Sequence, residues 1–374
     1  AMKGPNLMKR FSMKKIALVT LDYPPQQGGV ARYLWNLAKA LGEATVTVFV
    51  DRTHPVSVDA PAEKVRLFVP GPFGWWMSII QIWLMRSRGF EGVMVSHVLP
   101  LGTAALIARC LGGLPYIVLL HGLDVRLAKK TPMKRWLFRQ VLKRAKLVLV
   151  NSQRAGEEVH SIIKGQPFRV LLPAVEQEIK LPEKTASRAK LGVEAGELLV
   201  LSVARLVPRK GIDRLIESMS FVDPSIRLVI LGDGSDRERL DRHAQHFGKR
   251  VQFVSNTSDQ EKHEWYAAAD LFALPVREEE DDIEGFGIVF LEAALFGLVA
   301  IAGNSGGVPE AVLDGVTGLL VDPHHPRRIA DAIEALRKDT HLKKRLGEAA
   351  RERALKDFRW EDRARILRTW ISQL

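Results

Sequence analysis

Two glutamates eight residues apart are the strongest candidates for chemistry in this 374-residue chain. Glu284 and Glu292 flank an apolar segment that opens with Gly285-Phe286-Gly287, which predicts a glycine loop leading into a helix. Glu284 would lie at the helix mouth and Glu292 about two turns down, offset by roughly 80°, so the two carboxylates would contact different parts of one ligand. The free N–H groups at the helix start would suit a diphosphate. The alternative is a glycine turn with two solvated glutamates.

Basic residues follow a predicted strand earlier in the same half of the chain. The strand covers residues 198–204, and Arg205 and Lys210 lie in the loop after it. Arginine binds phosphate as a bidentate fork and lysine as a point charge, so the pair could neutralise a diphosphate. A solvated basic loop is the alternative. A further glycine loop, Gly306-Gly307, follows a predicted strand at residues 299–302.

A histidine follows a predicted buried strand in the first half. His121 comes directly after residues 116–120. Open α/β sheets bind ligands at the carboxyl ends of their strands, which favours a functional role for His121 over the structural role that most isolated histidines have.

Alternating strands and helices must position these residues. The pattern predicts an α/β protein with two Rossmann-like, doubly wound parallel-sheet domains that face a central cleft. We expect the domains at residues 1–174 and 175–359, with a helix at 360–374 that returns to the first domain. The predicted strands are residues 15–20, 45–50, 92–95, 116–120 and 147–150 in the first half, and 198–204, 227–231, 251–254, 271–274 and 299–302 in the second.

Composition excludes several classes of protein. Hydrophobic residues make up 47% of the chain and charged residues 26%, the balance of a folded rather than a disordered protein. The single cysteine, Cys110, can form neither an internal disulfide nor a cysteine metal cluster, so we expect a cytoplasmic protein. The longest apolar run, residues 71–85, is shorter than the roughly 20 residues that span a bilayer.

Positive charge is concentrated in the first half. Residues 1–174 hold 25 Lys and Arg against 9 Asp and Glu, whereas residues 175–374 hold 30 against 34. Eight basic residues and no acid lie from Lys129 to Lys146, on an amphipathic segment for which Thr131-Pro132 predicts a helix start. The stretch Pro72–Arg88 is aromatic and apolar. Both stretches suit an anionic membrane surface, and the alternative is a pair of helices with solvated basic faces.

In order and spacing, these motifs resemble the retaining, nucleotide-sugar-dependent glycosyltransferases of family 4, which have the two-domain GT-B fold. The resemblance covers most of the chain and is nearest to the branch of phosphatidylinositol mannosyltransferases. Its carriers are Gly28-Gly29, His121-Gly122-x-Asp124, Arg205 with Lys210-Gly211, Gly232-Asp233-Gly234, the pair Glu284 and Glu292, and Gly306-Gly307-x-Pro309-Glu310.

The resemblance implies a role for each site residue. His121 and Glu284 would be the catalytic residues at the transferred sugar, and Arg205 and Lys210 would hold the donor diphosphate. The other donor-binding residues implied are Glu292 at the ribose, Thr257 near the base, Gly28 and Gly29, and the backbone of Phe286, Gly287 and Ile288. No cofactor is implied, and no metal is expected because the chain has no Asp-x-Asp motif.

The implied activity is transfer of a hexose, with retention, to a lipid-linked or glycan acceptor at the cytoplasmic membrane face. Mannose from GDP-mannose is the expected donor, and a UDP-sugar carrying glucose, galactose or N-acetylhexosamine stays open. A non-catalytic anion- or nucleic-acid-binding protein is the alternative from another class, although no nucleic-acid motif accompanies the basic half. The acidic run Glu278–Asp282 could be a solvated loop, could contact a basic patch or could bind a cation.

Overall fold

The computed structural model describes residues 14–373, with the exception of Gln27, Pro72, Phe73 and Asp281. The described residues form two compact units. Unit 1 takes its residues from Ala1–Leu119, Trp136–Leu149 and Glu361–Leu374, and unit 2 from Leu120–Arg135 and Val150–Trp360. The domain limits proposed from the sequence stay a prediction.

The first sheet has seven strands. They are β1 (Ile16–Val19), β2 (Val46–Asp51), β3 (Glu63–Val65), β4 (Gly92–Val95), β5 (Tyr116–Leu120), β6 (Leu147–Val150) and β7 (Arg169–Val170). Their order is β3-β2-β1-β4-β5-β6-β7, with parallel pairing from β3 to β5. The strand order reverses between β1 and β4, which are buried along their whole length because helices cover both faces of such a sheet.

The second sheet has six parallel strands. They are β8 (Leu198–Val203), β9 (Ile226–Leu231), β10 (Val251–Val254), β11 (Leu271–Leu274), β12 (Val299–Gly303) and β13 (Gly318–Val321). Their order is β10-β9-β8-β11-β12-β13, so the strand order reverses between β8 and β11. The two parallel sheets confirm the predicted α/β fold class.

The helices connect these strands. They are α1 (Gly29–Leu41), α2 (Trp76–Leu84), α3 (Thr103–Cys110), α4 (Leu123–Lys129), α5 (Pro132–Arg144), α6 (Gln153–Ile162), α7 (Lys184–Lys190), α8 (Ile212–Ser218), α9 (Arg237–Ala244), α10 (Asp259–Ala268), α11 (Ile288–Leu295), α12 (Val308–Ala311), α13 (Pro326–Lys338), α14 (Thr340–Asp357) and α15 (Trp360–Ile371). Within the described residues, every helix is too short or too polar to cross a membrane.

Local sequence signals fix several helix ends. The hydroxyl of Thr131 accepts a hydrogen bond of 3.2 Å from the N–H of Lys134, which confirms the helix start predicted at Pro132. Ser258 and Glu261 form a reciprocal capping box at the start of α10. In unit 1, Arg368 of α15 donates hydrogen bonds of 2.8 Å to the carbonyls that end α1.

Candidate active site

A buried cluster of two cations and two carboxylates lies at the carboxyl edge of the second sheet, where the strand order reverses. We call Arg209, Lys210, Asp282 and Glu284 the switch-point cluster. Arg209 and Lys210 both donate to Glu284 Oε2, and Arg209 Nε also donates to Asp282 Oδ2 at 2.7 Å. The cations follow β8 and the carboxylates follow β11, the two strands that flank the reversal. Open α/β sheets bind ligands at this point.

The charged forms of Glu284 and Arg209 are favoured although both side chains are mostly buried. Burial would raise the pKa of Glu284, but the charges and hydrogen bonds of Lys210 and Arg209 lower it below its ordinary value. Burial lowers the pKa of Lys210, and Glu284 opposes that shift. Burial also acts to lower the pKa of Arg209, but Glu284 and Asp282 outweigh it and raise the value. The opposing shifts of Glu284 and Arg209 therefore favour an ionised carboxylate beside a charged guanidinium.

The loop that carries Arg205 is positioned by two glycines of another loop. An alanine Cβ at Gly232 would lie 1.9 Å from the carbonyl oxygen of Ala204, and one at Gly234 would lie 2.2 Å from that of Leu206. These approaches are possible only without a side chain. The motif Gly232-Asp233-Gly234 thus supports the loop after β8. The positive charge of Arg205 in this loop contributes to lowering the pKa of Lys210.

A second pair of glycines packs directly against the backbone of Glu284. A Cβ at Gly306 would lie 2.3 Å from the carbonyl oxygen of Glu284, and one at Gly307 would lie 2.1 Å from that of Gly285. The N–H of Gly307 donates to the Glu284 carbonyl at 3.0 Å. The loop after β12 therefore fixes the loop that carries the catalytic candidate.

The predicted helix after Glu284 begins later than the sequence pattern indicated. Helix α11 starts at Ile288, with Gly287 as its N-cap at φ 90°, so Glu284 precedes the helix and does not lie at its mouth. Phe286 is buried. Helix geometry leaves the first N–H groups of α11 without intrahelical partners, which keeps the backbone of Gly287 and Ile288 a candidate anion contact.

The second glutamate lies on α11 against α10. The hydroxyl of Tyr266 donates to Glu292 Oε2 at 3.1 Å, and Lys262 Nζ lies 3.3 Å from the same oxygen. The side chain of Glu292 is mostly buried. Sequence reasoning found Glu292 but neither partner, because both come from a separate helix.

His121 directly follows β5 and belongs to unit 2. Its N–H donates to Asp124 Oδ2 at 3.0 Å, a turn that directs the chain into α4. An alanine Cβ at Gly122 would lie 3.4 Å from Cγ2 of Ile283 and 3.8 Å from Cα of Gly285. The structure thus places the His121 loop beside the Glu284 loop.

Three further predicted donor residues belong to other loops. Thr257 is in the loop between β10 and α10, next to Asn256, which has a positive φ of 55°. Gly28 and Gly29 lie in unit 1 at the start of α1, where a Cβ at either position would meet no atom within 4 Å. These two glycines differ from Gly306 because packing within the chain does not require them.

Three residues of the acidic run form ion pairs with arginines. The main chains of Glu279 and Asp282 exchange hydrogen bonds of 3.0 and 3.3 Å. The side-chain pairs are Glu278 with Arg154 at 3.3 Å, Glu279 with Arg277 at 2.7 Å and Asp282 with Arg209 at 2.7 Å. The run therefore contacts basic residues, one of the alternatives that its sequence left open. Across the described residues, no group of three or more His, Cys, Asp or Glu side chains is arranged to hold a metal ion.

Comparisons with known proteins agree with this geometry. A model described as "Glycosyltransferase Family 4" matches residues 27–178, and one described as "Glycosyl transferases group 1" matches residues 183–353. A GDP-mannose-dependent alpha-(1-6)-phosphatidylinositol monomannoside mannosyltransferase of Mycobacterium tuberculosis is 32% identical, over 96% of this chain and 98% of its own. A GDP-mannose-dependent mannosyltransferase of Corynebacterium glutamicum, which acts on the monoacylated monomannoside, is 29% identical over 93% and 95%. The solved sucrose-phosphate synthase of Thermosynechococcus elongatus has the same fold, with a TM-score of 0.81, 24% identity and coverage of 96% and 98%.

Proposed function

Because the chain belongs to the family 4 glycosyltransferases of GT-B fold and is a nucleotide-sugar-dependent hexosyltransferase, we propose that it transfers mannose from GDP-mannose to an inositol phospholipid or its mannoside. The relatives from M. tuberculosis and C. glutamicum carry this donor and this acceptor class in their names. The acceptor places the reaction at the cytoplasmic membrane face in this proposal.

The observation that carries the proposal is the switch-point cluster beside the start of α11. In this assignment Arg205 and Lys210 hold the donor diphosphate, together with the backbone of residues 286–288. Glu284 accepts hydrogen bonds from the sugar hydroxyls, and His121 lines the sugar pocket. Glu292 binds the ribose. Gly28 and Gly29 leave space for the phosphates, and Thr257 lies near the base.

The reaction requires charge stabilisation at two places. The bond between the anomeric carbon and the diphosphate oxygen breaks while a bond to the acceptor's hydroxyl oxygen forms, and the hydroxyl proton leaves with the diphosphate. Negative charge therefore develops on the leaving GDP while the sugar becomes oxocarbenium-like. Arg205 and Lys210 are preorganised to stabilise the leaving group, and they carry the charge that a divalent metal would otherwise supply. We assign retention of the anomeric configuration to front-face attack by the acceptor. Glu284 already accepts hydrogen bonds from Arg209 and Lys210, so it is not placed as a nucleophile.

Ligand-dependent unfolding tests the donor. A ligand at 100 times its dissociation constant adds about 2.7 kcal/mol of stability. We expect GDP, measured in EDTA, to raise the unfolding temperature more than UDP or ADP does. Arg205→Ala should reduce the shift, whereas Arg214→Ala, an exposed arginine on α8, should leave it unchanged. A larger shift with UDP would reassign the donor, and no shift with any nucleotide would contradict the transferase proposal.

We also propose that α2 and the segment Lys129–Lys146 bind an anionic membrane surface. Helix α2 exposes Trp76, Ile80, Trp83 and Leu84, and Arg86 and Arg88 follow it in the chain. Pro72 and Phe73, the first residues of this predicted stretch, lie outside the described residues. On α5, Met133 and Trp136 are exposed among the basic residues of Lys129–Lys146. Apolar side chains next to cations are the combination that binds an anionic interface.

Co-sedimentation with vesicles tests this docking. We expect the protein to bind vesicles that contain phosphatidylinositol at low salt and to be released at high salt, with weaker binding to neutral phosphatidylcholine. Trp76→Ser should weaken binding, and Val58→Ser, which removes another exposed apolar side chain of unit 1, should not. Failure to bind anionic vesicles at low salt would remove the membrane proposal but not the donor assignment.

A further inference from the structure

The switch-point cluster contains two residues to which the donor assignment gives no role. They are Arg209, in the loop after β8, and Asp282, in the acidic run. Arg209 Nε donates to Asp282 Oδ2 at 2.7 Å, and Arg209 Nη1 donates to Glu284 Oε2. One guanidinium therefore joins the carboxylate assigned to the sugar hydroxyls to a second carboxylate of the same loop.

Arg209 is held by both its side chain and its main chain. Its guanidinium bonds two carboxylates, and the side chain is only 12% exposed. The N–H of Arg277 donates to the carbonyl of Arg209 at 2.8 Å. The guanidinium of Arg277 is anchored in turn, because it donates to the buried carboxylate of Asp213 at 2.7 Å. Arg209 therefore cannot turn toward another anion without breaking two charge-assisted hydrogen bonds.

The other two cations of this loop are placed to follow a ligand. Arg205 is exposed. Lys210 carries an ammonium with three rotatable donors, and it bonds Glu284 in the structure. An ammonium on a flexible stem can turn from a carboxylate to a phosphate, whereas a planar guanidinium held by two carboxylates cannot. The loop therefore combines one fixed cation with two that a diphosphate can recruit.

Binding of the sugar donor changes the charge around Glu284. In the proposed function the diphosphate takes up the charge of Lys210, which in the structure compensates Glu284. The diphosphate also brings further negative charge to a carboxylate that is mostly buried. Such a carboxylate takes up a proton unless another cation stays beside it. Arg209 is the cation that stays, because both of its charged partners belong to the protein.

We propose that Arg209 is a positioning residue for Glu284, which it keeps ionised and oriented toward the sugar while Lys210 binds the diphosphate. Asp282 is in turn the positioning residue for Arg209, because it keeps the guanidinium from pairing with the diphosphate. Asp282 Oδ2 accepts the bond from Arg209, and Asp282 Oδ1 is buried without a partner among the residues that the structure describes. The inference deepens the proposed function and rests on it.

The pH dependence of kcat reports on the protonation of Glu284. Burial would raise the pKa of Glu284, and Lys210 and Arg209 lower it. The loops that pack against the Glu284 loop carry two further titratable groups, His121 after β5 and Glu310 after β12. These two groups, Lys210 and Asp282 are the same in the wild type and in every variant of Arg209. A difference in pH profile among these proteins therefore comes from the contact of Arg209 with Glu284.

Steady-state kinetics with GDP-mannose and phosphatidylinositol monomannoside in detergent micelles tests the role of Arg209. Arg209→Gln should lower kcat and move its acid limb to higher pH by about one pH unit or more, because Glu284 loses the cation that keeps it ionised. Arg209→Lys keeps the charge and should retain the acid limb of the wild type. Arg214→Gln, at an exposed arginine of α8, should change neither quantity. A wild-type acid limb in Arg209→Gln would overturn the role of Arg209.

Asp282→Asn tests the restraint on Arg209 and does not depend on whether Arg209→Gln folds. Titration calorimetry in EDTA should show GDP binding about fivefold more tightly to this variant, because Arg209 becomes able to pair with the diphosphate. The kcat of the variant should fall, since Arg209 then leaves Glu284. GDP affinity and kcat equal to those of the wild type would overturn the role of Asp282. Failure of the wild type to bind GDP and to transfer mannose would instead refute the proposed function.

Discussion

Glu284→Gln is the substitution that measures how strongly the switch-point cluster depends on its central carboxylate. Glutamine keeps the shape of the side chain and removes its charge. Arg209 retains Asp282 at 2.7 Å. Within the described part of the chain, Lys210 pairs with Glu284 and with no other acid, and its side chain is only 10% exposed. The variant therefore leaves one buried ammonium uncompensated.

The expected loss of stability can be bounded from two sides. Removing one partner of a buried ion pair typically costs about 3 to 5 kcal/mol. Lys210 can instead release its proton, which costs about 1.4 kcal/mol for each pH unit below the ordinary lysine pKa, or about 5 kcal/mol at pH 7. We expect the free energy of unfolding to fall by about 3 to 5 kcal/mol at pH 7.

The pH dependence of the free energy of unfolding shows whether the uncompensated charge of Lys210 causes the loss. Burial already lowers the pKa of Lys210, and the loss of Glu284 lowers it further. The unfolded variant then binds more protons than the folded one near neutral pH, so the variant gains stability as pH rises toward the ordinary lysine value. At pH 9 the cost of releasing the proton is only about 2 kcal/mol, so the difference in the free energy of unfolding between the variant and the wild type should decrease.

Urea unfolding of both proteins at pH 7 and pH 9 checks this reasoning. Glu348→Gln makes the same chemical change in an exposed pair, where Lys344 lies 3.9 Å away, and should cost less than about 1 kcal/mol at either pH. A Glu284→Gln variant as stable as the wild type at pH 7 would refute the argument. A gap that widens toward pH 9 would show that Lys210 is not the uncompensated group.

Three other measurements address the fold and the chemistry of the same unit. Gly306→Ala would place a Cβ 2.3 Å from the carbonyl oxygen of Glu284, so we expect kcat/KM to fall about tenfold or more. Gly315→Ala has a similar positive φ and no atom within 4 Å of its Cβ, so it should cost only about 1 kcal/mol of stability. Equal effects of the two variants on turnover would contradict the close-contact argument. Burial would raise the pKa values of Asp213 and Asp270, but arginine and lysine partners lower both. The two carboxylates therefore stabilise the fold fully above the ordinary aspartate pKa, and this contribution is lost below about pH 4. A urea midpoint that already drops between pH 7 and 5 would assign acid unfolding to other groups. Turnover of GDP-mannose in EDTA should match turnover in magnesium, and an absolute magnesium requirement would count against the cationic diphosphate site.

The central strands and the edge strand β10 could be predicted from the sequence, whereas the other edge strands could not. The predicted limits of β4 and β11 match the structure because both strands are buried on two faces and read as continuous apolar runs. The strands that the sequence did not reveal are β3, β7 and β13, and each lies at the edge of its sheet. The edge strand Glu63-Lys64-Val65 is short, has two exposed residues and lacks that run.

The candidate site was predictable one segment at a time. Glu284 and Lys210 stand out because each lies in a loop after a buried strand, but the sequence does not show that Arg209, rather than Arg205, reaches the carboxylate. Asp282 was part of an acidic run without assigned partners, since its arginine is 73 residues away. Lys262 and Tyr266, the partners of Glu292, were missed because they lie on a separate helix whose position against α11 the sequence does not give.

The contact of Gly306 and Gly307 with Glu284 and Gly285 links two loops through main chain alone. The spacing between these loops is therefore set by the absence of side chains and not by any particular side-chain match. Insertions or deletions in one loop cannot be absorbed by repacking in the other, so the lengths of the two loops must change together. Side chains around them can vary more freely, because the spacing between the loops does not depend on them.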